Sequence, residues 1–367
     1  MRVLRISVTD RCNFRCLYCM PAEGVKWLEK SDLLSFEEIV EVVRASIDEH
    51  GIKRFKLTGG EPTVRHGITD LVRKIRAIDG VEDLSLTTNG FSLVDLAQPL
   101  RDSGLDRVTI SIDSLDPIRF KHITRTGELS MVMRGLHRAI DVGFDSIKIN
   151  CVAMRNWNLN EFPDFAKLAI DLPVTVRFIE YMPLGDAALI ESGNPFIEKR
   201  HDDGRVTFDV SEDEKGSRGG CGAQDRGDAF VDEATIRDSI EAKFGKLVPI
   251  DRNEEAGVGP AVPYRFENYP EARGRVGFIS AMSAPFCATC NRLRLTATGV
   301  LRSCLFDGGE VDLKPILRGS NQSSDQSNDQ SSIDRSKSIA RAMRDCVAMK
   351  PDVHSLRGDT QMSRIGG

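Results

Sequence analysis

The chain is predicted to fold as an α/β protein built on an open, six-unit (βα) partial barrel, and three observations point there. Short strand-like runs alternate with longer helix-like stretches through the first half of the sequence, the pattern of parallel βα units. Polar and glycine residues gather where each strand run ends. The number of units is six, fewer than the eight of a closed barrel.

The strand runs are Val3–Val8, Arg54–Leu57, Leu84–Thr87, Arg107–Ile112, Ser146–Val152 and Val174–Ile179. Between them lie helix-like stretches at Ser35–His50, Ile68–Ile78, Leu93–Ser103, Ser130–Val142 and Leu159–Ile170. Ser35, followed by Glu37 and Glu38, supplies the first helix with an N-cap and an acidic first turn. The strand ends carry Thr58-Gly59-Gly60-Glu61-Pro62, Thr87-Thr88-Asn89-Gly90, Ser111 with Asp113, Lys148 with Asn150, and Arg177, Glu180 and Met182. Any one of these could be an ordinary turn, and Asn89-Gly90 alone is a common turn pair. Five of them on one barrel edge are read as a site.

At 367 residues with a net charge of −5, the chain is long enough for a large core plus an appendage. The acidic balance argues against a general nucleic-acid or membrane surface. No apolar stretch reaches the roughly 18 residues of a spanning helix, so a soluble, cytoplasmic protein is expected. Two stretches, His201–Asp228 and Ser320–Ser338, are too polar to offset the entropy of ordering and are read as loops without structure. The expected organisation is a barrel over 1–185, a flexible insertion over 186–230, and a C-terminal region over 231–319. A disordered insertion over 320–338 and a terminal helix with a Gly-Gly tail over 339–367 complete it.

The chain holds nine cysteines. Cys12, Cys16 and Cys19 stand in C-x3-C-x2-C spacing just after the first strand. Three thiolates can hold three irons of a cubane cluster and leave the fourth open. Structural zinc, which usually takes four N or S ligands, is an alternative. A disulfide framework is a weaker one, given the odd cysteine count and no secretory signal. A second triplet follows near the C-terminus: Cys287-Ala288-Thr289-Cys290, then Cys304. Arg292–Ala297 alternates like a strand, Thr298-Gly299 signals a turn and Val300–Cys304 returns, so a hairpin would bring Cys304 beside Cys290. A second open cubane or a zinc site completed by a distant group both fit. Cys151 and Cys346 are read as packing residues, and Cys221 as incidental.

The first triplet, with Tyr18 before its last cysteine, resembles the signature of radical S-adenosylmethionine (SAM) enzymes. Three further features extend the likeness: the second triplet, Asn291-Arg292-Leu293-Arg294 within it, and the terminal Met362-Ser363-Arg364-Ile365-Gly366-Gly367. Together they resemble the GTP 3′,8-cyclases of molybdenum cofactor biosynthesis over essentially the whole chain outside the two polar stretches. The resemblance implies two [4Fe-4S] clusters, with Cys12, Cys16 and Cys19 holding the one that binds and cleaves SAM. Cys287, Cys290 and Cys304 would hold the one that binds the guanine of GTP. It implies SAM contacts at Tyr18, Gly60, Ser111, Arg177 and Met182, and GTP contacts at Arg5, Lys56, Thr87, Lys148, Arg292 and Arg294. Arg292, Arg294, Gly366 and Gly367 take catalytic roles, with the Gly-Gly tail entering the site.

The implied reaction has a deoxyadenosyl radical remove the ribose 3′ hydrogen, after which the carbon radical attacks C8 of guanine. The product, 3′,8-cyclo-7,8-dihydro-GTP, passes to a cyclic pyranopterin monophosphate synthase. A flavodoxin or ferredoxin as electron donor and a homodimeric assembly belong to the same expectation. The chain departs from that family in reaching its first strand almost at once, in carrying Lys56 where Arg is usual, and in the 320–338 stretch. Arg292 and Arg294 could otherwise face solvent on a strand. A peptide-modifying radical SAM maturase is the alternative enzyme, and a zinc-binding module the alternative outside enzymes.

Overall fold

The computed structural model describes residues 1–21, 24–182, 184, 196–200, 206–210, 229–251, 259–319 and 328–355. Six consecutive parallel strands form its centre: β1 (Val3–Ser7), β2 (Arg54–Thr58), β3 (Asp83–Thr88), β4 (Arg107–Ser111), β5 (Ser146–Ala153) and β6 (Val174–Glu180). Helices α1 (Phe36–His50), α2 (Ile68–Arg76), α3 (Leu93–Asp102), α5 (Leu129–Asp141) and α7 (Phe162–Asp171) connect them. Two short helices missing from the sequence reading, α4 (Pro117–Thr124) and α6 (Arg155–Asn158), follow β4 and β5. Asp116 caps α4 by accepting from Arg119 N, and Pro117 opens its first turn.

Strand alternation decides which side chains reach the barrel interior. Phe55, Leu57, Leu84, Leu86, Val108, Ile110, Ile147, Ile149, Val176 and Phe178 are buried in the apolar core. The intervening positions are polar: Arg5, Lys56, Ser85, Thr87, Thr109, Lys148, Asn150 and Arg177. Register then sets neighbours, with Arg5 beside Lys56, and Asn150 between Ser111 and Arg177. Helix α1 begins as read from sequence. Ser35 Oγ accepts from Glu38 N at 3.1 Å, and Glu38 accepts from Ser35 N at 2.6 Å, a closed capping box.

The C-terminal half extends the same sheet on both sides. After β7 (Phe196–Arg200), β8 (Val206–Val210) and α8 (Glu233–Phe244) come β9 (Leu247–Pro249), β10 (Val262–Phe266) and β11 (Arg275–Ile279). Strand β11 pairs parallel with β6. Next, β12 (Arg292–Leu295) pairs parallel with β1 and antiparallel with β13 (Val300–Arg302), which pairs with β14 (Glu310–Asp312). Among the described residues the sheet is open, running β14-β13-β12-β1-β2-β3-β4-β5-β6-β11-β10-β9. Helices α9 (Lys314–Arg318) and α10 (Asn328–Ala348) follow, α10 packing on α1. The β12–β13 hairpin turns at Gly299, whose φ of 91° favours glycine.

Two sequence expectations are corrected. The stretch 201–228 contains β8, which pairs antiparallel with β7; alternation over Val206, Phe208 and Val210 is the signal its polar surroundings obscure. The stretch 320–338 becomes helix from Asn328. Its Ser- and Asp-rich turns extend a helix anchored further along by buried Ile339, Ala340 and Met343, and Arg335 reaches Glu41 at 3.4 Å. Cys151 and Cys346 are fully buried, as packing residues are. Cys221 lies outside the described residues.

Candidate active site

The loop bearing the first triplet leaves β1 and is held by backbone on one side. Gly60 N donates to Thr9 O and Glu61 N to Arg11 O, both at 2.7 Å. A Cβ on Gly60 would stand 2.5 Å from the carbonyl oxygens of Asp10 and Arg11, and one on Gly59 would stand 2.8 Å from Thr9 O. The two glycines are therefore required first by this loop-to-loop contact. Glu61 then ties the site's second layer together. Its carboxylate accepts from Thr63 N (3.0 Å), Thr63 Oγ1 (2.5 Å), Thr88 Oγ1 (2.7 Å) and Asn89 N (2.6 Å), while Asn89 Nδ2 donates to Asn13 Oδ1 at 2.7 Å.

Helix α4 clamps the loop from the other side. Arg15 N and Leu17 N donate to Thr124 O and Ile123 O, each at 3.0 Å. Arg125, the non-glycine residue with positive φ (61°) among the described residues, sends Nη1 to Arg15 O (3.0 Å) and Met20 O (2.8 Å). These carbonyls bracket Cys16–Cys19, so a strained backbone position serves the site. Tyr18 donates to Asp113 Oδ2 at 2.7 Å, and Asp113 Oδ1 accepts from Val152 N at 2.9 Å. Burial raises the Asp113 carboxyl to about 6. Burial and Glu61 raise the Cys12 thiol to about 11, and burial raises Cys16 well above its usual range.

The second triplet sits on a tight turn, Cys287–Thr289, and on the β12–β13 hairpin. Its electrostatics differ. Burial pushes the Cys290 thiol up, but Arg292 and Lys350 outweigh it and bring it down to about 7. The parallel pairing of β12 with β1 sets Arg5 beside Arg294 and Val3 beside Arg292. Burial together with Arg292 lowers Arg294 to about 9. Burial with Arg294, Arg292 and Arg177 lowers Arg5, and burial with Arg177, Arg5 and Lys148 lowers Lys56. Buried cations that depress one another are stabilised by an anion.

Both triplets line one cavity at the C-terminal strand edge. Of the residues expected in the site, Tyr18, Gly60, Ser111, Arg177, Met182, Arg5, Lys56, Thr87, Arg292 and Arg294 line it too. Lys148 does not; it lines a small adjoining cavity with Asp83, Arg107 and Thr109, which Lys56 and Arg177 also border. Gly366 and Gly367 lie outside the described residues. The hydroxyls of Thr58 and Thr87 are buried on the cavity wall without a protein partner, as expected where a ligand completes them. Asp113 and Asn89, at strand ends already singled out, prove to be structural members of the site. Lys350 and His354, also on its wall, carry no sequence signal, since a lone basic residue after a helix is unremarkable.

The donor set fits iron–sulfur clusters. Each triplet offers thiols without an imidazole or carboxylate among the proposed ligands, and sulfur acceptors already have donors. Phe14 N reaches Cys12 Sγ at 3.3 Å, Arg292 Nη2 reaches Cys290 Sγ at 3.7 Å, and Lys350 Nζ reaches it at 3.3 Å. Hydrogen bonds to sulfur are a standard means of tuning such clusters. Among the described residues no three His, Cys, Asp or Glu side chains converge tightly enough for a single metal ion. A cubane, with irons at its corners, takes its thiolates further apart.

Comparison with known proteins gives the family. The Radical SAM superfamily matches residues 6–169, and Molybdenum Cofactor Synthesis C matches residues 217–356. A GTP 3′,8-cyclase of Pelotomaculum thermopropionicum is 41% identical over 369 residues, covering 99% of this chain and 97% of that protein. One from Desulforamulus reducens is 39% identical with the same coverage. Among solved structures, SuiB of Streptococcus suis shares the fold at a TM-score of 0.50 and 13% identity, covering 88% of this chain and 62% of that one. The chain belongs to the GTP 3′,8-cyclase family of radical SAM enzymes.

Proposed function

We propose that this chain cyclises GTP to 3′,8-cyclo-7,8-dihydro-GTP by radical SAM chemistry, the first step of molybdenum cofactor biosynthesis. The observation that carries the reading is the meeting of two cysteine triplets, from opposite ends of the sequence, on one cavity with six Arg and Lys side chains against two carboxylates. A substrate with a triphosphate suits that imbalance, because GTP brings about four negative charges and arginine pairs phosphate oxygens through its planar fork.

Cys12, Cys16 and Cys19 would hold one [4Fe-4S] cluster, and Cys287, Cys290 and Cys304 a second. Bound there, cluster and SAM would supply the one-electron cleavage of the SAM sulfonium, giving methionine and the 5′-deoxyadenosyl radical that takes the ribose 3′ hydrogen. The chain's own work is placement. Tyr18, Gly60, Ser111, Arg177 and Met182 flank the SAM position. Arg5, Lys56, Arg292 and Arg294 bind the triphosphate, with Lys148 behind them, and Thr87 offers its unpartnered hydroxyl. Arg292 and Arg294 lie on β12, which starts two residues after Cys290, so one hairpin positions both the phosphate and the base. By the family likeness, Gly366 and Gly367 would enter the site, as glycines pass where side chains would clash.

The family likeness supports three further parts of the reading: a homodimer, a flavodoxin- or ferredoxin-type donor, and a cyclic pyranopterin monophosphate synthase as consumer of the product. Among the described residues no helix is long and apolar enough to cross a membrane.

The test separates the triplets. Cys16→Ala abolishes 5′-deoxyadenosine formation from SAM, while Cys290→Ala keeps part of it and loses the GTP-derived product. Product formation intact in both variants contradicts the two-cluster reading.

A further inference from the structure

The ammonium of Lys350, two residues past the end of α10, contacts three acceptors. They are Cys290 Sγ at 3.3 Å, the Arg292 carbonyl at 3.2 Å and the Ser303 carbonyl at 3.0 Å. A lysine ammonium has three donors and no acceptor, so this one is fully committed. Its acceptors lie on both arms of the hairpin that carries the second triplet: Cys290 itself, a carbonyl two residues further on, and the carbonyl just before Cys304.

The position of Lys350 is itself fixed. Its N–H closes on Val347 O at 3.1 Å, and Pro351 stops the helix. One turn back, the Cys346 thiol donates to Gly309 O at 3.1 Å. The same carbonyl accepts from Ser303 N at 3.2 Å. The end of α10 thus docks onto the turn that precedes β14 and delivers one cation to the ligand-bearing loop. Arg292 reaches the same sulfur at the longer distance of 3.7 Å. Lys350 is the nearer donor, and it approaches from an element outside the hairpin.

We propose that Lys350 is a positioning residue for the second cluster. It draws the Cys290 and Cys304 arms together, and it places a positive charge on the Cys290 sulfur that raises the potential at which a cluster bound there is reduced. The physical basis is that reduction adds negative charge to the cluster. A cation donating a charge-assisted hydrogen bond to a ligand sulfur stabilises the reduced state more than the oxidised one. The inference rests on the two-cluster reading above.

The test uses the full-length chain with Cys12, Cys16 and Cys19 replaced by alanine, so that any cluster signal belongs to the second triplet. Reconstituted protein is titrated with reductant and followed by electron paramagnetic resonance. Lys350→Met is expected to lower the midpoint potential, and Lys350→Arg, which keeps the charge, to stay near the parent. An unchanged potential in Lys350→Met, or an equal fall in both variants, overturns the proposal. If Lys350→Met takes up no iron, uptake by Lys350→Arg supports the proposal and failure of both overturns it. A parent that binds no cluster, while the unsubstituted chain binds only one, removes the two-cluster reading itself, before any Lys350 variant is compared.

Discussion

Tyr18 donates its phenolic hydrogen to Asp113 at 2.7 Å, linking the loop between Cys16 and Cys19 to the loop that follows β4. Asp113 is in turn fixed by Val152 N, and Asn158 Nδ2 donates to its backbone carbonyl at 2.8 Å. The cysteine loop is therefore held from the barrel side by a buried carboxylate. Tyr18→Phe leaves one oxygen of that carboxylate buried without its donor, a loss of about 1–3 kcal/mol. Thermal unfolding of Tyr18→Phe, Asp113→Asn and the double variant should show coupling between the two residues. Strictly additive losses would mean that the bond contributes nothing.

Glu61 is a scaffold acid with no role in proton transfer on this account. Four donors converge on its buried carboxylate. Glu61→Ala orphans two backbone N–H groups and is expected to cost about 3 kcal/mol or more. Glu61→Gln keeps one acceptor oxygen and should fall between it and the parent. Urea unfolding orders the three proteins, and equal stability of Glu61→Ala and the parent would refute the assignment.

Gly60 separates packing from ligand contact. An added Cβ meets backbone atoms of Asp10 and Arg11 within 2.5 Å, and backbone cannot step aside as a side-chain tip can. Gly60→Ala should therefore displace the first cysteine loop and lose iron from that triplet, leaving the second loaded. Full iron content with weakened SAM binding would instead place the constraint at the ligand.

His122 stacks on Trp157 with ring centroids 5.3 Å apart. Burial, with Arg125 nearby, lowers its pKa in the folded state. The unfolded chain then binds the proton more readily, so this contribution is present above the unfolded value near 6.5 and is lost as pH falls. Between pH 8 and pH 6 the parent should lose stability more steeply than His122→Phe, which keeps the stacking but cannot titrate. Parallel pH profiles would remove His122 from the account.

The six parallel strands were legible because strands covered by helices leave apolar runs at every second position. Leu84 with Leu86 and Ile147 with Ile149 are such pairs. Both cysteine triplets were legible because their spacing is local. What stayed hidden depends on contacts between distant segments. Nothing near Lys350 announces that α10 ends against the β12–β13 hairpin, and nothing near Arg275–Ile279 announces that β11 pairs parallel with β6. Arg125 looks like any surface arginine until its positive φ and its two carbonyl acceptors are seen together. Helix α4 did carry a signal, Asp116-Pro117, but it is short and sits inside what reads as a loop.

Whether this chain cyclises GTP is decided by mixing anaerobically reconstituted protein with SAM, GTP and a strong reductant and identifying the products by mass spectrometry. The expected result is 5′-deoxyadenosine whose formation depends on GTP, together with a cyclised product of GTP. Deoxyadenosine with GTP recovered unchanged, from protein carrying both clusters, would contradict it.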